Sequence, residues 1–374
     1  MNNFHIYIIP LTFNQLYFVN KFRQRNIKVI GVDDNENNLH KDKVDFFLPC
    51  DPKQINKLEF DLIKKSTSIG FFGLNSDFGI KKAIELSKIT GIRNNFSVGE
   101  KTTIFDKYHY LRMVNQNFIN LPSKTKLLDN KFHYIKKPRF GSGSRNISIL
   151  NQKNFKENID DSFILQRKFI GNEYSVDGIN FNGTPIVFTV SKRNSEKFSA
   201  QTIISIRNSN KIFNKIKGHV KKNKPLFPEN TTFPFHIELI NDLRFGLQII
   251  DFSPRGGGNS LGDFFINLTT GINLFDLYLN YLISNKFKIP KIKYMYSMIY
   301  FIKYKKGIFK EITFNNNLLS KKDKFIQLID KNELMVEPCN DNHRIGFFIL
   351  SSIYQKDLKK KFTNLKKSIL IRTA

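Results

Sequence analysis

The sequence predicts an α/β and α+β protein. A parallel, doubly wound sheet is expected over the first hundred residues, followed by a strand-rich α+β remainder. Three observations predict this. Short apolar runs alternate with helix-like stretches up to about residue 98. Beyond that point the runs come in pairs joined by turn residues. Acids and small polar residues stand at several strand C-ends, where open α/β sheets bind ligands.

Each element has its own reason. Residues 5–9 are a short apolar run, which reads as a buried strand. A mixed helix is expected to about Arg25. Residues 28–33 form a second strand ending in acids, 46–48 a third, and 70–74 a fourth that runs into Asn75-Ser76-Asp77. A helix over 80–90 follows. Asp33 and Asp77 sit at strand ends and either face a substrate or, for Asp77, cap the helix. The first strand–helix turn, Pro10-Leu11-Thr12-Phe13, lacks GxGxxG, which argues against NAD or FAD there. Further on, Asp106-Lys107 opens a helix, and 131–150 reads strand, glycine loop, strand. Residues 164–189 hold two strands joined by Asn182-Gly183, a hairpin signal. Residues 191–224 are polar, basic and weakly periodic, and are expected to form a mobile excursion whose Lys192, Arg193, Lys197 and Arg207 either bind an anionic substrate or remain a solvated loop. Residues 234–255 read strand, turn, strand. Helices are expected from about 259 and over 274–284. The tail has strand signals at 297–304 and 346–351 and ends in a lysine-rich helix. Three units are expected: 1–98, 99–290 with a lid over about 130–190, and 291–374.

Composition narrows the function classes. The chain has 374 residues, 40% of them hydrophobic and 25% charged, which excludes wholesale disorder. No window of eighteen residues is apolar throughout, so no membrane-spanning helix is expected. The first residues lack a basic start and apolar run, so no secretory signal is expected. Two cysteines argue against a disulfide scaffold and fit a reducing, cytoplasmic setting. The net charge of +28 invites a nucleic-acid reading, but it divides as +4, +13 and +11 over the three units. No basic tail or stripe stands apart. Solvated lysines therefore explain the charge better than a polyanion partner.

Three clusters carry candidate chemistry. In residues 134–145 a strand delivers Lys137 to the loop Gly141-Ser142-Gly143-Ser144, where backbone N–H groups can approach phosphates. The alternative is a plain hairpin tip. In residues 166–177 a strand with Gln166, Phe169 and Ile170 bends at Gly171 and presents Glu173, either to a ribose or to solvent. The third cluster joins His236-Ile237-Glu238 to Asp251-Phe252-Ser253-Pro254-Arg255-Gly256-Gly257-Gly258. Strand alternation puts Glu238 on one face, and Asp251 and Ser253 on one face of the next strand. Two converging carboxylates suit Mg²⁺, and Arg255 is placed to stabilise a developing anion.

In this order the clusters resemble the ATP-grasp enzymes. The correspondence runs from Asp106-Lys107 through Lys137 and its glycine loop, Gln166 to Glu173, and Glu238, to Asp251-x-Ser253-x-Arg255. The resemblance spans the whole chain and implies an N-terminal Rossmann-like pre-ATP-grasp domain, a two-part nucleotide-binding fold and a C-terminal α+β region. It implies that Lys107 and Lys137 contact ATP phosphates, with Gly141, Ser142, Gly143 and Ser144 folding over them. Gln166, Phe169 and Ile170 would hold adenine and Glu173 the ribose. Glu238, Asp251 and Ser253 would bind Mg²⁺, with Mn²⁺ as a substitute, and Arg255 would steady an acyl phosphate. The implied activity is an ATP-dependent carboxylate–amine ligase of the carbamoyl-phosphate-synthase-like and biotin-carboxylase-like kind. Its partners would be a small carboxylate, an amine and, as is common in the family, a second copy of the chain. The family pattern at the last site is Glu-x-Asn-x-Arg, so Ser253 leaves open one metal ion or two. Arg167-Lys168 replaces an acid beside the adenine strand. Two alternatives stand beside the ligase: a module that binds ATP without turnover, and a basic nucleic-acid-binding protein.

Overall fold

The computed structural model describes residues 4–12, 15–49, 68–73, 76–91, 102–115, 118–124, 129, 131–141, 145–151, 155, 160–196, 198–258, 261–284, 286–336 and 343–374. Ser142, Gly143 and Ser144 lie outside these residues, as do Lys197 and both cysteines.

The N-terminal sheet has the predicted parallel form. Strands β1 (His5–Ile8), β2 (Lys28–Asp33), β3 (Phe46–Pro49) and β4 (Ser68–Phe72) lie in the order β3-β2-β1-β4. Every pairing among them is parallel. Helix α1 (Leu16–Arg23) buries Phe18, Val19 and Phe22 against this sheet. Helix α2 (Asp77–Thr90) is capped by Ser76, whose side chain accepts from the Gly79 N–H, and it ends at Gly91 with φ +69°. The cap is therefore Ser76, which leaves the Asp77 carboxylate available elsewhere. Asp33 accepts from the Asn35 N–H and shapes a turn.

Helix α3 (Lys107–Val114) starts at Asp106, whose carboxylate accepts from the Tyr108 N–H. A small antiparallel sheet follows: β5 (Ile119–Asn120), β6 (Tyr134–Pro138), β7 (Ser148–Leu150) and β8 (Phe163–Arg167), ordered β5-β8-β6-β7.

The large sheet begins with β9 (Gly171–Phe181) and β10 (Thr184–Glu196). The hairpin turn between them uses Asn182 and Gly183 at φ +49° and +82°, the left-handed pair that such a tight turn requires. Strands β11 (Ser199–Ile206), β12 (Thr232–Asp242), β13 (Gly246–Ser253), β14 (Tyr296–Phe301), β16 (Lys324–Gln327) and β18 (Gly346–Ser352) complete it. Among the described residues its order is β13-β12-β9-β10-β11-β14-β18-β16. Strands from residues 171–253 and 296–352 thus share one sheet. A three-stranded sheet of β15 (Gly307–Thr313), β17 (Leu334–Met335) and β19 (Leu370–Thr373) flanks it. The lysine-rich helix α7 (Gln355–Ser368) precedes β19 rather than ending the chain.

Residues 191–224 differ from expectation. They continue β10, form β11, and then form helix α4 (Lys211–Lys222). Phe213, Ile216 and Val220 are buried at helical spacing. The lysines between them hide that stripe when composition alone is averaged. Strand β11 bridges β10 and β14, so the segment lies in the middle of the large sheet.

The first sheet docks on the rest through aromatic contact. Helix α5 (Ile266–Thr270) is followed by helix α6 (Leu274–Ser284), whose Phe275 meets Phe18 at 4.7 Å, and Lys21 pairs with Asp276 at 3.1 Å. Phe275 in turn fills the space left by Gly256, where a Cβ would come within 2.6 Å of its ring. The glycines after Arg255 thus begin with a packing requirement. Among the described residues, no helix is long and apolar enough to cross a membrane.

Candidate active site

A cleft of about 560 Å³ separates the small sheet from the large one. That is within the range of roughly 300–1,000 Å³ usual for small-molecule sites. From the small-sheet side come Lys137, Gly141, Gln166 and Phe169, and from the large sheet Glu173, Glu238, Asp251 and Ser253, with Lys107 and Arg255 beside them. Ile170 is 64% exposed and does not line the cleft. Its N–H instead donates to Asp242 at 2.6 Å and pins the bend before β9.

Register explains the convergence of the acids. Strands β12 and β13 pair antiparallel, with Glu238 opposite Asp251 and His236 opposite Ser253. Directly opposed side chains share a face about 5 Å apart, so the two carboxylates meet without any special loop. Among the described residues, no cluster of three or more His, Cys, Asp or Glu side chains forms a closed metal cage. A two-carboxylate site completed by water and ligand oxygens is how Mg²⁺ is usually held.

The cations face these acids. Lys107 is buried in the first turn of α3, and its ammonium donates to the Gly141 carbonyl. Lys137 donates to the Ile250 carbonyl. Burial pushes Lys137 down to about 8, with Lys107 adding to the effect and Asp251 and Glu238 opposing it. Neutral carbonyls are weaker partners for an ammonium than anionic oxygens, so both lysines are poised for a stronger acceptor. Gln166 is 3% exposed, and its side-chain NH₂ has no hydrogen-bond partner among the described residues. An orphaned buried donor on a cleft wall fits a ligand acceptor such as a heterocycle nitrogen.

Arg255 is held from the N-terminal unit. Its Nε donates to Asp77 at 2.7 Å, and one terminal nitrogen donates to the Gly256 carbonyl at 3.2 Å. Burial works against its charge, but Asp77 outweighs it and Asp251 and Glu238 help.

Further side chains contact these residues, and of them Tyr110 and Ser195 are not singled out by the sequence. Tyr110 donates to the Asp251 carboxylate and accepts from the Phe252 N–H at 3.3 Å. Burial first, and then Asp251, raise Tyr110 well above its usual value, so it stays a neutral donor. Its position three residues after Lys107, on one helix face, was the signal available. Arg193 pairs with Glu238, which also lies 3.6 Å from His236. His236 bonds in turn to the fully buried Asp177 at 2.7 Å. Burial disfavours charge on His236, yet Asp177 and Glu238 hold it up at about 9. Burial also opposes the charge on Glu238, and Arg193 and His236 overcome this to keep it well below the usual carboxylate range. Ser195 donates to Glu173. Arg167 stacks 3.4 Å above Phe132 and lies 5.1 Å from Phe118, which accommodates a basic residue beside Gln166.

Comparison with known proteins fits this geometry. A family profile for the ATP-grasp domain matches residues 104–224. The L-amino acid ligase from Bacillus licheniformis is similar over 100% of both chains, with a TM-score of 0.81 and 15% identity. Phosphoribosylglycinamide synthetase from Anaerococcus prevotii matches over 100% of both chains at TM-score 0.71 and 17% identity. The biotin carboxylase domain dimer of Hydrogenobacter thermophilus 2-oxoglutarate carboxylase was solved with MgADP, ADP and bicarbonate. It matches 99% of this chain and 90% of its own, at TM-score 0.71 and 11% identity. No curated protein sequence matches the chain. Residues 104–224 thus match an ATP-grasp domain profile, and the chain as a whole has the ATP-grasp fold.

Proposed function

We propose that the chain is an ATP-dependent ligase that activates a small carboxylate as an acyl phosphate and couples it to an amine. The carboxylate oxygen would take the γ-phosphoryl group of ATP and release ADP. The amine nitrogen would then bond to the acyl carbon while phosphate leaves with the C–O electron pair. The observation that carries this reading is the pairing of Glu238 with Asp251 across from two lysines that, among the described residues, donate to backbone carbonyls.

Each residue has a role in that reading. Glu238 and Asp251 would hold Mg²⁺, which supplies charge neutralisation for the phosphates, and Ser253 borders the same place. Tyr110 would occupy one Asp251 oxygen and orient the other outward. Lys107 and Lys137 would exchange their carbonyl partners for phosphate oxygens. Gln166 would donate to the adenine ring, Phe169 would pack beside it, and Glu173 would accept from the ribose hydroxyls. Arg255 would stabilise the charge that develops on the acyl phosphate and on the tetrahedral centre during its attack. Positioning and electrostatics account for most catalysis in phosphoryl transfer. A site between two sheets also excludes water from a hydrolysable acyl phosphate. We further propose the unit boundaries 1–98, 99–290 and 291–374, and a homodimer.

The direct test is ADP release across carboxylate and amine panels, with and without Mg²⁺. Mg²⁺-dependent ADP formation requiring both an acid and an amine is the expected result. Tight ATP binding with no turnover on any acid would instead identify a binding module, a reading that Ser253 in place of asparagine favours.

Lys137 makes a pH-dependent prediction. In the free protein its ammonium loses its proton near pH 8, whereas bound phosphates favour the charged form. ATP affinity is therefore expected to hold below pH 8 and to fall above it, by up to about tenfold per pH unit. Binding near pH 9 should take up a proton, seen by calorimetry in buffers of different ionisation enthalpy. Lys137→Ala should weaken binding and flatten the profile. Equal affinity at pH 7 and 9.5 in the wild type would remove Lys137 from the phosphate site.

A further inference from the structure

Behind the proposed metal site the large sheet carries a chain of polar contacts that the reading above does not use. Strands β10, β9, β12 and β13 lie side by side, and their register lines up two rungs of side chains. Thr189, Asp177, His236 and Ser253 form one rung, and Ser191, Ser175, Glu238 and Asp251 form the next. Alternation puts both rungs on one face, and Ser175, His236, Glu238, Asp251 and Ser253 from them line the cleft.

Asp177 is the fixed end of this chain. It is fully buried and engaged at both oxygens. Its Oδ1 lies 2.7 Å from His236 Nδ1, and its Oδ2 accepts from the Thr189 hydroxyl at 3.4 Å. A carboxylate so deeply buried needs a cationic partner, and the His236 ring supplies it. The other ring nitrogen, Nε2, lies 3.6 Å from Glu238 Oε1. An imidazole with carboxylate oxygens at both nitrogens carries a proton on each. Turning the ring would break its bond to Asp177, so His236 is a strut between a buried acid and a cleft acid.

The strut acts on one side of Glu238. Arg193 Nη1 pairs with the same oxygen, Oε1, that His236 faces. Asp251 is held in the same manner from the opposite strand, where Tyr110 donates to its Oδ1. Fixing one oxygen of a carboxylate sets the plane of the group and leaves its second oxygen to a metal ion. A glutamate side chain without such a brace would have to be ordered when the ion binds.

We infer that His236, braced by Asp177, is a positioning residue that presents Glu238 to the metal ion through a single oxygen. The inference rests on the metal role proposed for Glu238, but its test needs no turnover.

Mn²⁺ binding to the full-length protein with ADP present would be followed by electron paramagnetic resonance, beside metal-free ADP affinity and melting temperature. Two substitutions separate the ring nitrogens, because an asparagine amide reaches the place of Nδ1 and a glutamine amide that of Nε2. His236→Asn keeps a donor for Asp177 and loses the strut to Glu238. Its Mn²⁺ affinity is expected to fall about tenfold or more, with metal-free ADP affinity unchanged. His236→Gln keeps a donor toward Glu238 and should retain most of the Mn²⁺ affinity at a lower melting temperature. A residue that only stabilised the fold would give the opposite order. Asp177→Asn leaves the ring in place but loosens it, and should lower Mn²⁺ affinity by less than His236→Asn. In turnover, saturating Mg²⁺ should restore most of kcat in His236→Asn, so the defect lies in the Mg²⁺ concentration for half-maximal rate. Wild-type Mn²⁺ affinity in both His236→Asn and Asp177→Asn, or a larger loss in His236→Gln than in His236→Asn, would overturn the inference and leave the ligase reading intact. His236-dependent Mn²⁺ binding without ADP release on any acid would sink the ligase reading and leave this one standing. A wild-type ADP complex that binds no Mn²⁺ would remove the metal role of Glu238 and this inference with it.

Discussion

Arg255→Ala is expected to lower ADP-forming turnover by at least about 10²- to 10³-fold, the loss typical when one donor to a developing oxyanion is removed. The guanidinium is held by Asp77 and by the Gly256 carbonyl, so it enters the cleft already oriented. An oriented donor needs no reorganisation as charge builds, and that is where its catalytic effect comes from. The fold should survive. Asp77 is 22% exposed on its side chain and can be hydrated when its partner is lost. The melting temperature should therefore stay near the wild-type value while the rate collapses. ATP affinity should change little, because Lys107 and Lys137 make the expected phosphate contacts. Near-normal turnover in Arg255→Ala would refute the assigned mechanism. Asp77→Asn offers a graded comparison, since it keeps the guanidinium but loosens it.

Glu238→Gln is expected to damage both catalysis and stability. The carboxylate is shared by Arg193 and His236, and it faces Asp251 across the strand pair. Removing its charge leaves those two cations with less compensation in a largely buried setting. The loss of a charge-assisted hydrogen bond there costs about 1–3 kcal/mol. Removing a metal-binding carboxylate should raise the Mg²⁺ concentration for half-maximal rate by about tenfold or more. A chelator-treated protein isolates the two effects. Its melting temperature should still drop in Glu238→Gln, because Arg193 and His236 lose their anion even without metal. If Mg²⁺ dependence and melting both stayed as in the wild type, Glu238 would be neither a metal ligand nor part of the charge network.

Much of this site is legible in the sequence because strands are regular. Alternation alone places His236 with Glu238 and Asp251 with Ser253, and the short connection between the two strands brings them opposite. The parallel sheet over residues 5–72 follows from short apolar runs of strand length. The turn at Asn182-Gly183 follows from the two residue types that enter left-handed backbone most easily. Segment 191–224 was harder to read. Strand β11 alternates only loosely, and its identity depends on β10 and β14 offering free edges on both sides. Ile170 fits an apolar strand pattern yet faces solvent, because the bend at Gly171 turns the chain where Asp242 holds its N–H.

By itself the sequence determined the order of the elements, the residue types of the proposed phosphate, metal and anion sites, and the pairing of Glu238 with Asp251. These depend on local periodicity and on contacts between neighbours in the chain. Only the tertiary structure decided what those residues touch from afar. It brings Asp77 to Arg255, Tyr110 to Asp251, Asp177 to His236, and Arg344 to Ala200 in β11. Such pairs come from elements up to 178 residues apart, brought together by burial of apolar faces rather than by any pattern along the chain.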